Sequence, residues 1–266
     1  MSNSRRLFIG LAITVIVWFL GLTYLPQIVG TCLDGECGFS IGEIIVSLAI
    51  PLAFFAMPIV LEMVLYKKGL SRAASDIGVT RFNWTGIRLA AVFVLPLIVF
   101  YPLFSLITHT PLATRPNWQW FVLSGVLING FAEETMMRGF VFRHLREGRP
   151  FWRAAALSTV YFAAYHLHII LAAGALIGII GVLLAIPTGF VTAYIYERGN
   201  NTIWGPALLH VLFTNLAIVF IYPTDIQPIA GLLYLVVGIL LSITMLVWMY
   251  RSRYGRMEAQ SSVSGV

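Results

Sequence analysis

The chain has 266 residues, 59% of them hydrophobic and only 11% charged, with a mean hydropathy of +0.88. Soluble domains carry roughly a quarter charged residues, so the composition excludes a water-soluble fold. The net charge of +6 does not imply a nucleic-acid partner, because the basic residues sort to one side of the apolar segments.

A helix needs about 20 apolar residues to cross a hydrocarbon core. Eight segments qualify, at about 7–29, 41–66, 86–109, 119–142, 153–172, 174–196, 203–222 and 229–250. The predicted fold is therefore all-α: a polytopic membrane protein of about eight transmembrane helices, forming a single transmembrane domain over 1–250. The Ser-rich stretch 251–266 is expected to be a disordered cytoplasmic tail. The first segment follows Arg5 and Arg6 as a signal peptide would, but its apolar run is too long and no A-x-A site closes it, so it is read as a retained helix. Cys32 and Cys37 follow in a polar loop, either as free thiols or as a disulfide. The loop 67–85 is expected to hold a short interfacial helix. Trp118 and Trp120 mark the outer entrance of the fourth segment, and Trp84 and Trp152 lie near inner boundaries, as aromatic belts do. The fifth and sixth segments join almost directly at Ala173. The sixth carries Gly174, Gly178, Gly181, Pro187 and Gly189, which reads as a close-packing face with a kink at the proline.

With the N-terminus cytoplasmic, 13 of the 17 Lys and Arg fall in inner loops and tails, and the outer loops hold only Arg115. This positive-inside bias places both the N- and C-termini in the cytoplasm. The expected setting is a multi-pass protein of the plasma (cytoplasmic) membrane, with its basic charge serving topology and anionic-lipid contact.

One stretch breaks the apolar pattern. Phe131 to Phe140, FAEETMMRGF, puts Glu133, Glu134 and Arg138 inside the fourth segment. Ionisable groups at membrane depth cost at least a few kcal/mol and mark functional sites. At ~1.5 Å per helical residue, Glu133 lies about 15 Å from Arg143 at the inner boundary. By the same rise, His166 lies about 20 Å from Arg153 and His210 about 11 Å from Ile203. Three helices thus bring one glutamate and two histidines to similar depth. Glu134 and Arg138, four apart, share a helix face and form an internal ion pair. That leaves Glu133, on a face with Asn129 and Met137, as the working carboxylate, while Gly139 lets a neighbouring element approach. His168 points nearly opposite His166 and is read as interfacial or packing. His109 and His144 lie at boundaries and are expected to be solvated or headgroup-facing.

No G-x-S-x-G and no H-E-x-x-H occurs. A carboxylate in an apolar cavity can serve as a general base toward water. A histidine beside it can orient that water, and a second histidine with an amide or hydroxyl neighbour can donate to a developing oxyanion. The chemistry that results is hydrolysis of an amide.

The order Glu133-Glu134-x-x-x-Arg138-Gly139, Phe162-x-x-x-His166 and His210 through Asn215 resembles the CPBP family, the CAAX prenyl endopeptidase and bacteriocin-processing (Abi) intramembrane proteases. The CPBP-like core would run over about 119–222. The resemblance implies an endopeptidase acting on a lipidated or membrane-associated peptide or protein, with cytoplasmic entry. It implies that Glu133 activates water with His166 as partner, that His210 and Asn215 stabilise the oxyanion, and that Glu134 and Arg138 hold the site together. The family pattern has Asn or Asp four residues after the late histidine. Here that position is Thr214, and Asn215 lies about 140° from His210 on a regular helix. Either a π-bulge brings Asn215 round, or Thr214 is the donor, or this half of the site is impaired. The family is often labelled a metalloprotease, and Glu133, His166 and His210 could hold zinc. A glutamate–histidine site using water directly needs no metal, and that reading is favoured. The alternatives are a non-enzymatic immunity factor or scaffold of the same fold and, behind it, a proton-coupled transporter, for which inverted repeats are lacking. Oligomeric state is left open.

Overall fold

The computed structural model describes residues 3–29, 41–167, 169–170 and 174–252. The Cys32–Cys37 loop, His168, the joint at Ala173 and the tail beyond 252 lie outside the described residues. The eight apolar segments are helical, as expected. They are α1 (Asn3–Val29), α2 (Ile41–Tyr66), α4 (Trp84–Thr108), a continuous helix 118–146, α7 (Phe151–Tyr165), α8 (Ala175–Arg198), α9 (Trp204–Val219) and α10 (Gln227–Arg251). The helix 118–146 comprises α5 (Trp118–Gly125), two π-helical stretches, and α6 (Arg143–Arg146). Among the described residues, four helices are long and apolar enough to cross a membrane: α2 from Leu48, α4, α8 from Gly178, and α10.

The loop 67–85 does form a short helix, α3 (Leu70–Ile77). Ala73 and Ile77, four apart, are its buried face. Asn83 then starts α4 as its N-cap, its side chain accepting from the Thr85 N–H at 2.8 Å. The helix ends sort into two sides. On one side the Ile203 N–H bonds Gly78 O at 3.3 Å and Arg146 Nε bonds Glu197 at 2.9 Å. On the other, strands β1 (Ala113–Thr114) and β2 (Phe220–Ile221) pair antiparallel, and the Arg115 N–H bonds Val219 O at 2.8 Å. The first side carries Lys68, Arg72, Arg143 and Arg146, in line with the positive-inside pattern.

That basic side contains a cluster absent from the sequence reading. Glu62, in the last turn of α2, is fully buried and binds Lys68 Nζ at 2.7 Å, Arg143, and His144 Nε2 at 2.7 Å. His144 is 4% exposed and stacks on Tyr66 at 4.2 Å, so it is not solvated as expected. The reason is charge: a carboxylate buried on α2 requires partners, and His144 is one of them. Lys68 also reaches Asp76 of α3 at 2.8 Å.

Close helix contact depends on missing side chains. A Cβ at Gly139 would lie 2.6 Å from the Ile77 carbonyl oxygen, so the element that Gly139 admits is α3. Gly178 and Gly189 of α8 pack in the same way on Ile170 and Thr159. Helices α4 and α9 cross backbone to backbone, where a Cβ at Gly205 would lie 2.6 Å from the Gly86 carbonyl carbon and oxygen. Backbone cannot yield as a side-chain tip does. Gly205→Ala is therefore expected to destabilise by roughly 1–3 kcal/mol, read as a lower Tm in detergent. Gly231→Ala, where nothing lies within 4 Å, is the matched control and should not lower it. Equal Tm values for the two variants would refute the crossing as a packing constraint.

Candidate active site

The helix 118–146 changes its hydrogen-bonding period around the two glutamates. Val126–Ala132 and Thr135–Phe142 are π-helical, and only Glu133 and Glu134 separate them. The Glu133 N–H bonds Ile128 O, and the Arg143 N–H bonds Arg138 O, each five residues back. Such wide turns concentrate at functional sites. The π-bulge that would bring Asn215 round is not formed: α9 is a regular helix throughout.

Glu134 is fully buried. Its Oε2 lies 3.3 Å from Arg138 Nε, which is the expected i,i+4 pair. Its other oxygen does more than the sequence suggested: Oε1 accepts from His210 Nδ1 at 2.8 Å. Arg138, 3% exposed, also binds Thr192 of α8 and lies over the Phe162 ring at 4.7 Å. Because an ion-paired carboxylate only accepts, His210 Nδ1 carries a hydrogen. The opposite nitrogen, Nε2, is 3.7 Å from Glu133 Oε2. Glu133 is 7% exposed, and that oxygen has no hydrogen-bond partner. His210, expected opposite Glu133 as an oxyanion donor, thus sits between the two glutamates.

His166 is not inside a helix but is the C-cap of α7. Its Nδ1 lies 2.8 Å from the Phe162 carbonyl, which only accepts, so that nitrogen carries the hydrogen and Nε2 is on the opposite edge of the ring. Phe162 packs edge-on against it at 4.4 Å, which gives the F-x-x-x-H spacing a physical meaning. His166, Glu134, Arg138, His210 and Thr214 line one cavity of about 180 Å³, with Phe162, Leu209 and Phe213 among its apolar walls. Gly181 and Thr188 of α8 line it too, so part of that glycine face borders the cavity.

Thr214 and Asn215 part company. Thr214 lines the cavity, accepts from Asn129 Nδ2 at 2.8 Å and donates to the His210 carbonyl at 2.8 Å. Asn215 is 4% exposed, and its carboxamide fills the space where a Cβ of residue 125 would sit. On a regular helix, the extra residue turns it away from His210, toward Gly125. The carboxamide expected in the oxyanion half is therefore not brought to the cavity.

Nδ1 of His166 and of His210 is turned to a protein oxygen, and among the described residues no group of three His, Cys, Asp or Glu side chains is gathered as a metal-binding set.

Residues 115–216 match the family described as type II CAAX prenyl endopeptidase Rce1-like. The chain carries a CPBP-family domain. The matched span takes in Glu133, Glu134, Arg138, His166, His210 and Asn215, and every residue that lines the cavity. No curated protein gives a match to the chain. A domain of a protease family over 115–216, together with apolar helices long enough to span a bilayer, makes the chain an integral membrane protein.

Sequence reasoning missed the Glu134–His210 bond, the Asn129–Thr214 bond and the burial of Glu62. In the sequence Asn129 stands only as a neighbour of Glu133 on one face. Glu62 had a signal, a carboxylate at the end of an apolar run followed by Lys67 and Lys68.

Proposed function

We propose that the protein is an intramembrane endopeptidase that hydrolyses a peptide bond in a lipidated or membrane-associated substrate by glutamate-activated water. The observation that carries this reading is His210 held by Glu134 at 2.8 Å and facing Glu133 at 3.7 Å, beside a mostly apolar cavity. Glu133 takes a proton from water, and the resulting hydroxide adds to the substrate carbonyl carbon. Glu134 fixes the ring of His210, which shares the proton with Glu133. Arg138 and His166 border the cavity in which the oxyanion forms. The proton then passes to the amide nitrogen, the C–N bond breaks, and amine and carboxylate products leave. No step is assigned to a metal. Eight membrane-spanning helices with both termini in the cytoplasm, in the plasma membrane, complete the proposal. The basic side of the fold then faces the cytoplasm, from which water and the peptide enter.

The second reading is a non-enzymatic immunity factor or scaffold of the same fold, favoured by one observation, the withdrawal of Asn215 from the cavity. A fluorogenic peptide panel, prenylated and leader-type, offered to the detergent-purified protein separates the two. Cleavage that persists in a chelator is the expected result. No cleavage of any panel member would favour the scaffold. Cleavage lost to the chelator and restored by zinc would overturn the metal-free mechanism.

A further inference from the structure

Two uncharged side chains tie the helix of Glu133 to the helix of His210. Asn129 lies four residues before Glu133, and Thr214 four residues after His210. Asn129 Nδ2 donates to Thr214 Oγ1, and that hydroxyl donates to the His210 carbonyl, both at 2.8 Å. A threonine bonded back to its own helix is ordinary. That bond does not require an amide arriving on the same oxygen from a different helix, 85 residues away in sequence. Both capacities of the hydroxyl are engaged, so Thr214 acts here as a bracket and not as a spare donor.

The bracket has a task that packing performs poorly. His210 must meet Glu134 through Nδ1 while Nε2 stays near Glu133. One rigid ring can do both only while α9 keeps its height along the helix 118–146. Next to the bracket, a Cβ at Gly130 would lie 2.7 Å from Val211, so the spacing of the two helices is set by close contact. Apolar contact is non-directional and resists sliding weakly. A hydrogen bond is directional and resists it. A slide of one residue moves His210 by about 1.5 Å.

We propose that Asn129, seated on Thr214, is the positioning residue that sets the height of His210 between Glu133 and Glu134, and that Asn215 has no such role. The kinetic part of this proposal rests on the peptidase reading; the spectroscopic part does not.

The experiment compares wild type with Asn129→Ala, Thr214→Val, the double variant, Thr214→Ser and Asn215→Ala. Misplacement by about 1 Å can cost about 10²-fold in rate. Asn129→Ala and Thr214→Val are accordingly expected to lower kcat on that scale with KM nearly unchanged, and the double variant to fall no further than the worse single, since the pair acts as a unit. Thr214→Ser keeps the hydroxyl and should recover most of the rate. Asn215→Ala should leave kcat unchanged. In parallel, the ¹⁵N imidazole resonances of His210, assigned by their loss in His210→Gln, should move in Asn129→Ala and not in Asn215→Ala. Multiplicative losses in the double variant, an unchanged kcat in Asn129→Ala, or a resonance that moves with Asn215 and not Asn129 would overturn the proposal. If wild type cleaves nothing, the peptidase reading fails alone, and the His210 resonance still decides the role of Asn129.

Discussion

Glu133→Gln is expected to abolish measurable cleavage, lowering kcat by about 10²–10⁴-fold, the range general-base catalysis contributes. The substitution keeps the volume of the side chain and removes only its ability to take a proton. Glu133 is buried, its Oε2 has no hydrogen-bond partner and its contact with His210 Nε2 is a long one at 3.7 Å, so the change breaks no short hydrogen bond. The folded protein should therefore persist, with a Tm near that of wild type and an unshifted elution volume. Loss of activity with retained folding is what separates a chemical role from a structural one. Cleavage at the wild-type rate in purified Glu133→Gln would remove Glu133 from the mechanism and shift attention to His166, which lines the cavity.

Arg138→Leu is expected to damage the fold itself. Glu134 is fully buried and Arg138 3% exposed, with the guanidinium also bound to Thr192 on α8 and lying over Phe162 on α7. Removing one partner of a buried pair strands the other charge and typically costs about 3–5 kcal/mol. The expected readout is a large drop in resistance to thermal and denaturant unfolding in detergent. The double variant Glu134→Gln/Arg138→Leu should regain part of that loss, because no carboxylate is then left uncompensated. A single variant as stable as wild type would mean that His210 alone compensates Glu134.

These two expectations separate residues that the stretch Phe131–Phe140 presents together. Glu134 and Arg138 were legible as a pair because four residues on a helix make them neighbours whatever the rest of the chain does. The helical segments were legible for a comparable reason: backbone groups in lipid must bond within their own segment, so a long apolar run has few alternatives to a helix. The helix in loop 67–85 and the close approach at Gly139 also followed from local chemistry, although the sequence could not say that α3 is what Gly139 meets.

Other features needed contacts between segments remote in sequence. His144 read as a boundary residue until Glu62, 82 positions away, was found against it. The partner of Glu133 was expected to be His166, yet the histidine seated between the glutamates is His210, since the height of α9 depends on the Gly86–Gly205 crossing and on Asn129. The π-helical turns that bracket Glu133 and Glu134 leave no pattern of apolar spacing to read, and α9, where a bulge was considered, stays regular.

The sequence by itself determined an all-helical membrane protein, the charged stretch at its centre and the family motifs, because burial in lipid and i,i+4 geometry act within single segments. Only the tertiary structure decided which histidine stands between Glu133 and Glu134, and that Thr214 and not Asn215 borders the cavity. Those outcomes depend on the relative height and rotation of packed helices, where a shift of a single residue along or around a helix exchanges one facing side chain for another.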